Sequence, residues 1–422
     1  MELLLLMLLV LLILARVFAE IAERLNQPGL VGELAAGILL GLLATPVSRL
    51  TGIPFDFVHE VQDSHAFEAI TDLGIFFLML LGGLELRPRD MAKASGSAFL
   101  VALGGILVPL VCGVALGWWV FPDSEMKTAQ VLFLGTALVI TAVPVSIRVL
   151  RDLDQLNSRA GSIVVSAAVY DDVFSLVFLA VLTALLKTGE WVGAQGLLLL
   201  AGKTLVFFAV TVGLGRWLFP WIGSLLKRSR ATEFEFSMVL VAALAFGAFA
   251  EVLGMHFILG AFMAGLFFQR SNLDDETFKS VRESTEAVAT GFLAPIFFAS
   301  IGLHLSGAAV VQVPFFLVAV LVIAFLAKLL GSGLVAYAFH RDGAGAAVVG
   351  TAMSARGAVE LIIADIALRA GLFDHPTPVP TVVANLFSTV VIMAIVTTIV
   401  TPLAVNWILQ RDASRDSPLL KK

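Results

Sequence analysis

Long apolar segments separated by short polar ones run through the whole chain. An α-helix needs about 20 apolar residues to cross a bilayer, and thirteen segments approach that length. They lie near residues 3–19, 30–48, 67–84, 95–120, 127–150, 161–187, 193–225, 234–252, 255–269, 286–303, 312–339, 344–371 and 381–409. The seventh is long and the ninth is short, so a merged or divided helix is the alternative to this count. The pattern predicts an all-α polytopic membrane protein with about 13 transmembrane helices.

The composition agrees with a membrane location. Hydrophobic residues make up 59% of the 422 residues and charged residues 14%, with a mean hydropathy of +0.98, whereas soluble domains are about half apolar and a quarter charged. The apolar start carries Glu2 and no base before Arg16, unlike a secretory signal, which opens with basic residues. Cys112 is the only cysteine, so we expect neither an internal disulfide nor a metal site.

Basic residues in the loops predict the orientation. Loops on one side carry 18 of the 27 bases and the alternate loops carry three, while six lie within the segments. Because cytoplasmic loops are enriched in Lys and Arg, we expect the N-terminus outside and the C-terminus in the cytoplasm, in a plasma membrane or prokaryotic inner membrane. This arrangement requires an odd number of spans, and thirteen fits.

The chain is predicted to form one integral unit over residues 1–410, followed by a short cytoplasmic tail at 411–422. No nucleotide-binding P-loop is present, which argues against ATP as the energy source. We expect no cofactor and no nucleic-acid partner, and membrane lipid is the expected surrounding.

Ionisable residues deep within the spans are the candidates for chemistry, because each costs about 2.5–3.5 kcal/mol at the bilayer centre on insertion scales. They are Asp171 and Asp172 in span six, Lys328 in span eleven, and Arg356, Glu360 and Asp365 in span twelve. Asp172, Lys328 and Arg356 lie eleven or twelve residues from the cytoplasmic ends of their spans, which places them about 16 Å deep. That depth is near the middle of a ~30 Å core, so these charges can meet.

The adjacent aspartates are expected to have different environments, since neighbours on a helix point about 100° apart. One can pair with Lys328 while the other faces a cavity and binds a cation or a proton. A nearby carboxylate and desolvation both favour proton binding, so exchange of a proton for a cation becomes possible. The alternative is a static buried ion pair that orients helices. Arg356 and Glu360, four residues apart, are expected to form an intrahelical pair rather than to act directly, and Asp365, nearer the outer surface, is expected to be solvated.

Two spans carry features that interrupt helices. In span five Pro144 lacks an N–H, and Thr141 and Ser146 offer hydroxyls. In span twelve Gly350, Ser354 and Gly357 weaken the helix near the midplane. Alone, either feature is a simple kink. The spans are seven apart and so run in opposite directions, which is typical of inverted-repeat transporters with a binding site at the crossing.

The chain resembles the cation:proton antiporter superfamily, in the branch of prokaryotic sodium/proton antiporters, and it is also similar to the membrane domain of potassium-efflux antiporters. Eight segments in the family's order carry the resemblance: LNQPGLVGELAAGILLG at 25–41, LGIFFLMLLGGLELRP at 73–88, TAVPVSIRVLRDL at 141–153, AAVYDDV at 167–173, LGMHFILGAFMAGL at 253–266, FFASIGLHL at 297–305, AKLLG at 327–331 and MSARGAVELIIA at 353–364.

The resemblance implies a homodimer in which a core domain moves against a dimerisation domain, in the manner of an elevator. The core elements would lie at about 95–187 and 312–409, and the dimerisation elements at about 1–48 and 193–269. Asp172 resembles the carboxylate that binds cation and protons in turn, Asp171 resembles its neighbour in electrogenic members, and Lys328 resembles the basic partner of that neighbour. Thr141, Pro144 and Gly357 resemble the crossed, unwound helices, with Arg356 and Glu360 as supporting charges.

The resemblance implies a monovalent cation/proton antiporter rather than an enzyme. Some relatives place an acid in the first helix break, whereas Thr141 and Ala142 stand here. Potassium-efflux members commonly lack the second acid of the pair, which favours Na⁺ or Li⁺ and electrogenic exchange. K⁺/H⁺ antiport is the alternative, and a non-transporting sensor on the same scaffold is a further one. An intramembrane aspartyl protease, suggested by Tyr170 and Asp171, would need a GxGD motif that the sequence lacks.

Overall fold

A computed structural model describes residues 2–51, 57–62, 64–85, 96–142, 146–147, 150–151, 155–156, 158–188, 193–226, 234–268 and 275–412. All regular secondary structure in these ranges is helical, which confirms the all-α prediction. Two π-helical turns interrupt the α-helices, at Ala289–Leu293 and Leu329–Gly333.

The α-helices are, in chain order, α1 (Glu2–Arg24), α2 (Gly29–Thr51), α3 (Phe57–Gln62), α4 (His65–Glu85), α5 (Gly96–Val120), α6 (Lys127–Val139), α7 (Arg159–Thr188), α8 (Gly193–Leu226), α9 (Phe234–Val252), α10 (Ile258–Phe267), α11 (Asp275–Val288), α12 (Ala294–His304), α13 (Ala308–Gln312), α14 (Pro314–Lys328), α15 (Leu334–His340), α16 (Gly343–Ala352), α17 (Ala358–Arg369), α18 (Thr381–Ala384) and α19 (Leu386–Asp412).

Many of these helices are long and apolar enough to cross a membrane. Within the described ranges eight helical stretches qualify by length and composition, two of which continue through a π turn, and four shorter apolar helices accompany them. Two of the four, α6 and α16, are short because the spans predicted at 127–150 and 344–371 are interrupted. The total of thirteen spans stays a prediction.

The described residues divide into two compact units. The first lies within Met1–Pro88 and Val192–His304, and the second within Arg89–Trp191 and Leu305–Lys422. Which of these units moves during transport, and which dimerises, stays a prediction.

The first unit is held together by apolar packing and close helix approach. Met7, Leu11 and Phe67 are buried in a cluster that joins α1, α2, α4 and α12. Helices α4 and α10 approach until a Cβ on Gly83 would lie 2.2 Å from the carbonyl oxygen of Phe262. Small residues permit this contact, which is a common way to pack helices in membranes.

The second unit has an alanine-rich core that joins α5, α7, α15, α16 and α19. Ala168 and Ala352 are fully buried there. The turn between α15 and α16 is tight: Arg341 takes a left-handed conformation with φ 53°, and the Asp342 side chain accepts a hydrogen bond of 3.1 Å from the Gly345 N–H, capping α16. Small core residues let five helices meet around the polar groups described below.

A π turn follows Lys328 directly, where the sequence predicted an uninterrupted span at 312–339. Helix α5 packs against this turn without room for side chains. A Cβ on Gly104 would lie 2.4 Å from the Gly331 carbonyl oxygen, and a Cβ on Gly105 would lie 2.2 Å from Ser332 Oγ. Ser332 donates a hydrogen bond of 3.3 Å to the Val101 carbonyl. The π turn is therefore fixed against α5 immediately after Lys328.

Candidate functional site

Helix α7 carries both aspartates of the predicted site. Its 30 residues form a continuous helix, so Asp171 and Asp172 project in directions about 100° apart. Asp171 is fully buried, whereas Asp172 is partly exposed. The two neighbouring carboxylates thus differ in exposure.

Lys328, the last residue of α14, reaches the buried aspartate. Its Nζ lies 3.0 Å from Asp171 Oδ1 and donates a second hydrogen bond of 2.7 Å to Thr141 Oγ1. Both charged side chains are fully buried. A buried ion pair offsets its desolvation only when further hydrogen bonds accompany it, and Lys328 has one such bond, to Thr141.

Asp171 keeps one carboxylate oxygen free of the ion pair. Asp171 Oδ2 is buried and has no hydrogen-bond partner within the described part of the chain. Buried polar atoms are usually paired, so an unpaired carboxylate oxygen next to Asp172 is available to a ligand.

The first helix interruption follows α6. The helix ends at Val139, and Ile140 is extended with a ψ of 139°. Thr141 Oγ1 donates to the Met353 carbonyl at 3.1 Å while accepting the bond from Lys328. Pro144, which the sequence placed in this interruption, lies outside the described residues.

The second interruption separates α16 from α17 by residues 353–357. The two interrupted segments touch: the Ala142 N–H donates to the Ala355 carbonyl at 2.8 Å, and Ser146 Oγ donates to the Ala352 carbonyl at 2.6 Å. A Cβ on Gly357 would lie 2.6 Å from the Cβ of Ala142, so this position has no room for a larger residue. Gly350, expected to weaken the helix, remains in the last turn of α16.

Arg356 interacts with the end of the first interrupted helix. Its guanidinium donates to the carbonyls of Ala137, Leu138 at 2.6 Å and Ile140 at 2.7 Å. The last carbonyls of a helix have no intrahelical partner and carry a partial negative charge. The buried guanidinium of Arg356 satisfies those carbonyls. The sequence singled out Arg356, but its contacts with the helix-end carbonyls could not be predicted from it.

Glu360 lies beside Arg356 with a longer contact. Arg356 Nε is 4.0 Å from Glu360 Oε2, both side chains are fully buried, and neither Glu360 oxygen has a hydrogen-bond partner within the described ranges. The two residues therefore form the expected ion pair. The pair is not intrahelical, however, because Arg356 lies before the first turn of α17. The Arg356 carbonyl accepts a 2.8 Å hydrogen bond from Thr398, one of several hydroxyl residues on α19, and sequence reasoning did not single it out.

Asp365 corrects one expectation. It was expected to be solvated, but its exposed fraction is 3% and its Oδ2 lies 2.8 Å from Arg369 Nε. Arg369 stands four residues later on α17, so the spacing could have indicated this pair.

Comparison with known proteins identifies the family of the chain. The chain matches the sodium/hydrogen exchanger transmembrane family over residues 7–411. It belongs to that family. The Na⁺/H⁺-K⁺ antiporter GerN of Bacillus cereus is 31% identical over 383 residues, which cover 91% of this chain and 90% of GerN. A Na⁺/H⁺ antiporter of Enterococcus hirae is 28% identical over 92% of this chain and 94% of its own length.

A solved structure shares the fold. The sodium proton antiporter MjNhaP1 from Methanocaldococcus jannaschii aligns with a TM-score of 0.65 over 98% of both chains, at 18% identity. The resemblance to the cation:proton antiporter superfamily is therefore confirmed. The protein is an integral membrane transporter rather than an enzyme, and its family membership supports cation/proton antiport as the activity.

Proposed function

We propose that this protein exchanges Na⁺ or Li⁺ for protons and that the exchange is electrogenic. The observation that carries the proposal is the buried contact of Lys328 Nζ with Asp171 Oδ1, at 3.0 Å, next to the partly exposed Asp172. With two adjacent carboxylates and one ammonium group, the site can exchange more than one proton for each monovalent cation. Net charge then crosses the membrane in each cycle. A site with one carboxylate would lack that capacity.

The proposed cycle gives each residue a task. Asp172 releases its proton and binds the cation, with the free Oδ2 of Asp171 close by. Lys328 pairs with Asp171 when no cation is bound and leaves that carboxylate when the cation binds. Thr141 accepts a hydrogen bond from Lys328 and donates one to the second interrupted segment. Movement of Lys328 in the proposed cycle would therefore affect the backbone near Gly357. Arg356 and Glu360 support the interrupted helices.

The proposed movement is of the elevator type in a homodimer. All of the proposed site residues within the described ranges belong to the second compact unit, which we propose as the moving core, with the dimer contacts in the first. The N-terminus would lie outside and the C-terminus in the cytoplasm of a plasma membrane or prokaryotic inner membrane. Proton movement into the cell would then drive cation exit.

K⁺/H⁺ antiport is the second candidate. It is favoured by the similarity to GerN, whose name includes K⁺ beside Na⁺. The presence of both aspartates favours Na⁺ or Li⁺ instead. The two candidates differ in one measurement, which is the proton flux obtained with K⁺ in place of Na⁺.

Reconstituted protein provides the test. In proteoliposomes with an imposed pH gradient, added Na⁺ is expected to dissipate the gradient, and Asp172→Asn is expected to abolish that flux because an amide neither releases a proton nor offers a charged ligand. An imposed membrane potential is expected to change the initial rate. Full flux in Asp172→Asn would refute the role of Asp172, and a rate independent of potential would refute electrogenic exchange. Absence of cation-dependent flux in the unmodified protein would favour the sensor.

A further inference from the structure

Ser175 is a buried hydroxyl without an assigned role. Its exposed fraction is 1%, and its Oγ has no hydrogen-bond partner within the described part of the chain. Helical serines ordinarily donate to a carbonyl one turn earlier, as Thr183 does on the same helix, with bonds of 2.9 Å to Leu179 and 3.1 Å to Ala180. A buried hydroxyl that makes no such bond costs stability and requires an explanation.

Helix geometry directs Ser175 towards the two aspartates. At about 100° per residue, its side chain projects about 40° from Asp171 and about 60° from Asp172, between the two. It lies about 6 Å along the axis from Asp171. Side chains on a helix tilt towards the N-terminal end, and both carboxylates lie on that side of Ser175.

Two unsatisfied buried oxygens therefore lie one turn apart on one face of α7, Asp171 Oδ2 and Ser175 Oγ. A hydroxyl oxygen is a neutral ligand of the hard type that suits alkali cations, and carboxylate oxygens are charged ligands of the same type. A neutral ligand adds to the coordination of a cation without altering the charge balance of the exchange.

We propose that Ser175 is a ligand of the transported monovalent cation, together with Asp172 and the free oxygen of Asp171. This inference rests on the proposed function and adds to it a residue that sets cation affinity. Ser175 is not the group that takes up and releases the exchanged proton, because a serine hydroxyl stays protonated in the physiological range.

The test compares three substitutions at this one position in proteoliposomes at fixed pH. Ser175→Ala removes the oxygen, Ser175→Cys keeps nearly the same shape with a soft sulfur, and Ser175→Thr keeps the hydroxyl. Loss of one neutral ligand is expected to raise the KM for Na⁺ about fivefold, the equivalent of one hydrogen bond, in both the Ala and Cys variants. kcat should stay within about twofold, and Thr should retain a KM close to that of the unmodified protein.

Thr183→Ala is the matched control, because Thr183 is a buried hydroxyl on the same helix whose bonds are already satisfied. Its KM for Na⁺ should not change. An unchanged KM in Ser175→Ala, or in Ser175→Cys if the Ala variant does not fold, would overturn the proposal. An equal rise in Thr183→Ala would overturn it as well. Absence of Na⁺-dependent proton flux in the unmodified protein would instead refute the proposed function. A failure of the Ser175 proposal and a failure of the proposed function are therefore distinguishable.

Discussion

At the scale of single residues, the buried Lys328–Asp171 pair is the contact with the largest energetic consequence. A buried ion pair adds little net stability compared with apolar residues of the same shape, but removal of one partner leaves the other charge buried and uncompensated. Here both side chains have no exposed surface. Each of these two charges is therefore tolerated only while an opposite charge lies beside it, and the two can be removed together at less cost than one alone.

Lys328→Gln is expected to lower the free energy of unfolding by about 3–5 kcal/mol, because Asp171 would remain buried without its cation. The double variant Asp171→Asn with Lys328→Gln should recover most of that loss, since two amide side chains can hydrogen-bond to each other. Equilibrium unfolding of the detergent-solubilised protein measures both. A single variant as stable as the double variant would contradict this account.

Lys279→Gln is the control for that comparison. Lys279 forms a pair with Glu283 at 3.7 Å, but the two side chains are 73% and 64% exposed. Exposed pairs contribute about 0–1 kcal/mol, so this variant should unfold like the unmodified protein. The contrast isolates the effect of burial from the effect of removing a lysine.

At the scale of helices, the π turn after Lys328 is a positioning element. Each π turn inserts one extra residue into a helix, and such turns occur often at functional sites. The turn at Leu329–Gly333 contacts α5 through Gly104 and Gly105 on one side, and Gly350 of α16 lies against Leu329 on another. Close contacts on two sides keep the turn, and with it Lys328, in place.

Gly105→Ala tests this positioning. The added Cβ would lie 2.2 Å from Ser332 Oγ, so either this hydroxyl leaves its hydrogen bond with the Val101 carbonyl or the π turn shifts. A shift of the turn would displace Lys328, which directly precedes it. Because misplacement by about 1 Å can cost about a hundredfold in rate, we expect Na⁺-dependent proton flux to fall about tenfold or more. The double variant Gly105→Ala with Ser332→Ala should recover most of the flux, since the new Cβ would lie 3.6 Å from the Cβ of residue 332.

Two comparisons make that result decisive. Gly96→Ala, at the start of the same helix, adds a Cβ that meets nothing within 4 Å and should leave the flux unchanged. Ser332→Ala alone gives the reference for the double variant. If the double variant transports no better than Gly105→Ala, the contact with Ser332 does not position Lys328.

Helix interruptions also show where prediction from sequence stops. Glycines and Pro144 indicated the spans that break, but the actual break at residues 353–357 leaves Gly350 helical and includes Met353 and Ala355. The Ala355 carbonyl is satisfied by the Ala142 N–H, which is more than 200 residues away in the sequence. Such long-range partners determine which residues unwind, and local sequence does not contain them. The π turns escaped prediction for the same reason.

At the scale of the whole molecule, the bilayer allows the fold class and the candidate site residues to be predicted from the sequence. Its thickness fixes the length of apolar segments, so the all-α membrane fold followed from the pattern alone. Burial cost limited the candidates for the site to a few charged residues. Depth arithmetic brought Lys328 level with Asp172, and Lys328 contacts the adjacent Asp171 at 3.0 Å. Asp365 was misjudged, because its distance from the span end said nothing of its partner Arg369.

Orientation in the membrane is the remaining large-scale prediction. The excess of bases on one set of loops places Glu125 outside and Ser280 in the cytoplasm, and both residues are exposed. With Cys112→Ser removing the only cysteine, single cysteines at these two positions report the side of each. A membrane-impermeant thiol reagent applied to intact cells should label Glu125→Cys, and should label Ser280→Cys only after the cells are permeabilised. The reverse pattern would invert the topology. Labelling of both from outside would mean that an even number of spans lies between the two positions. The predicted order of thirteen spans places an odd number between them and would then be wrong.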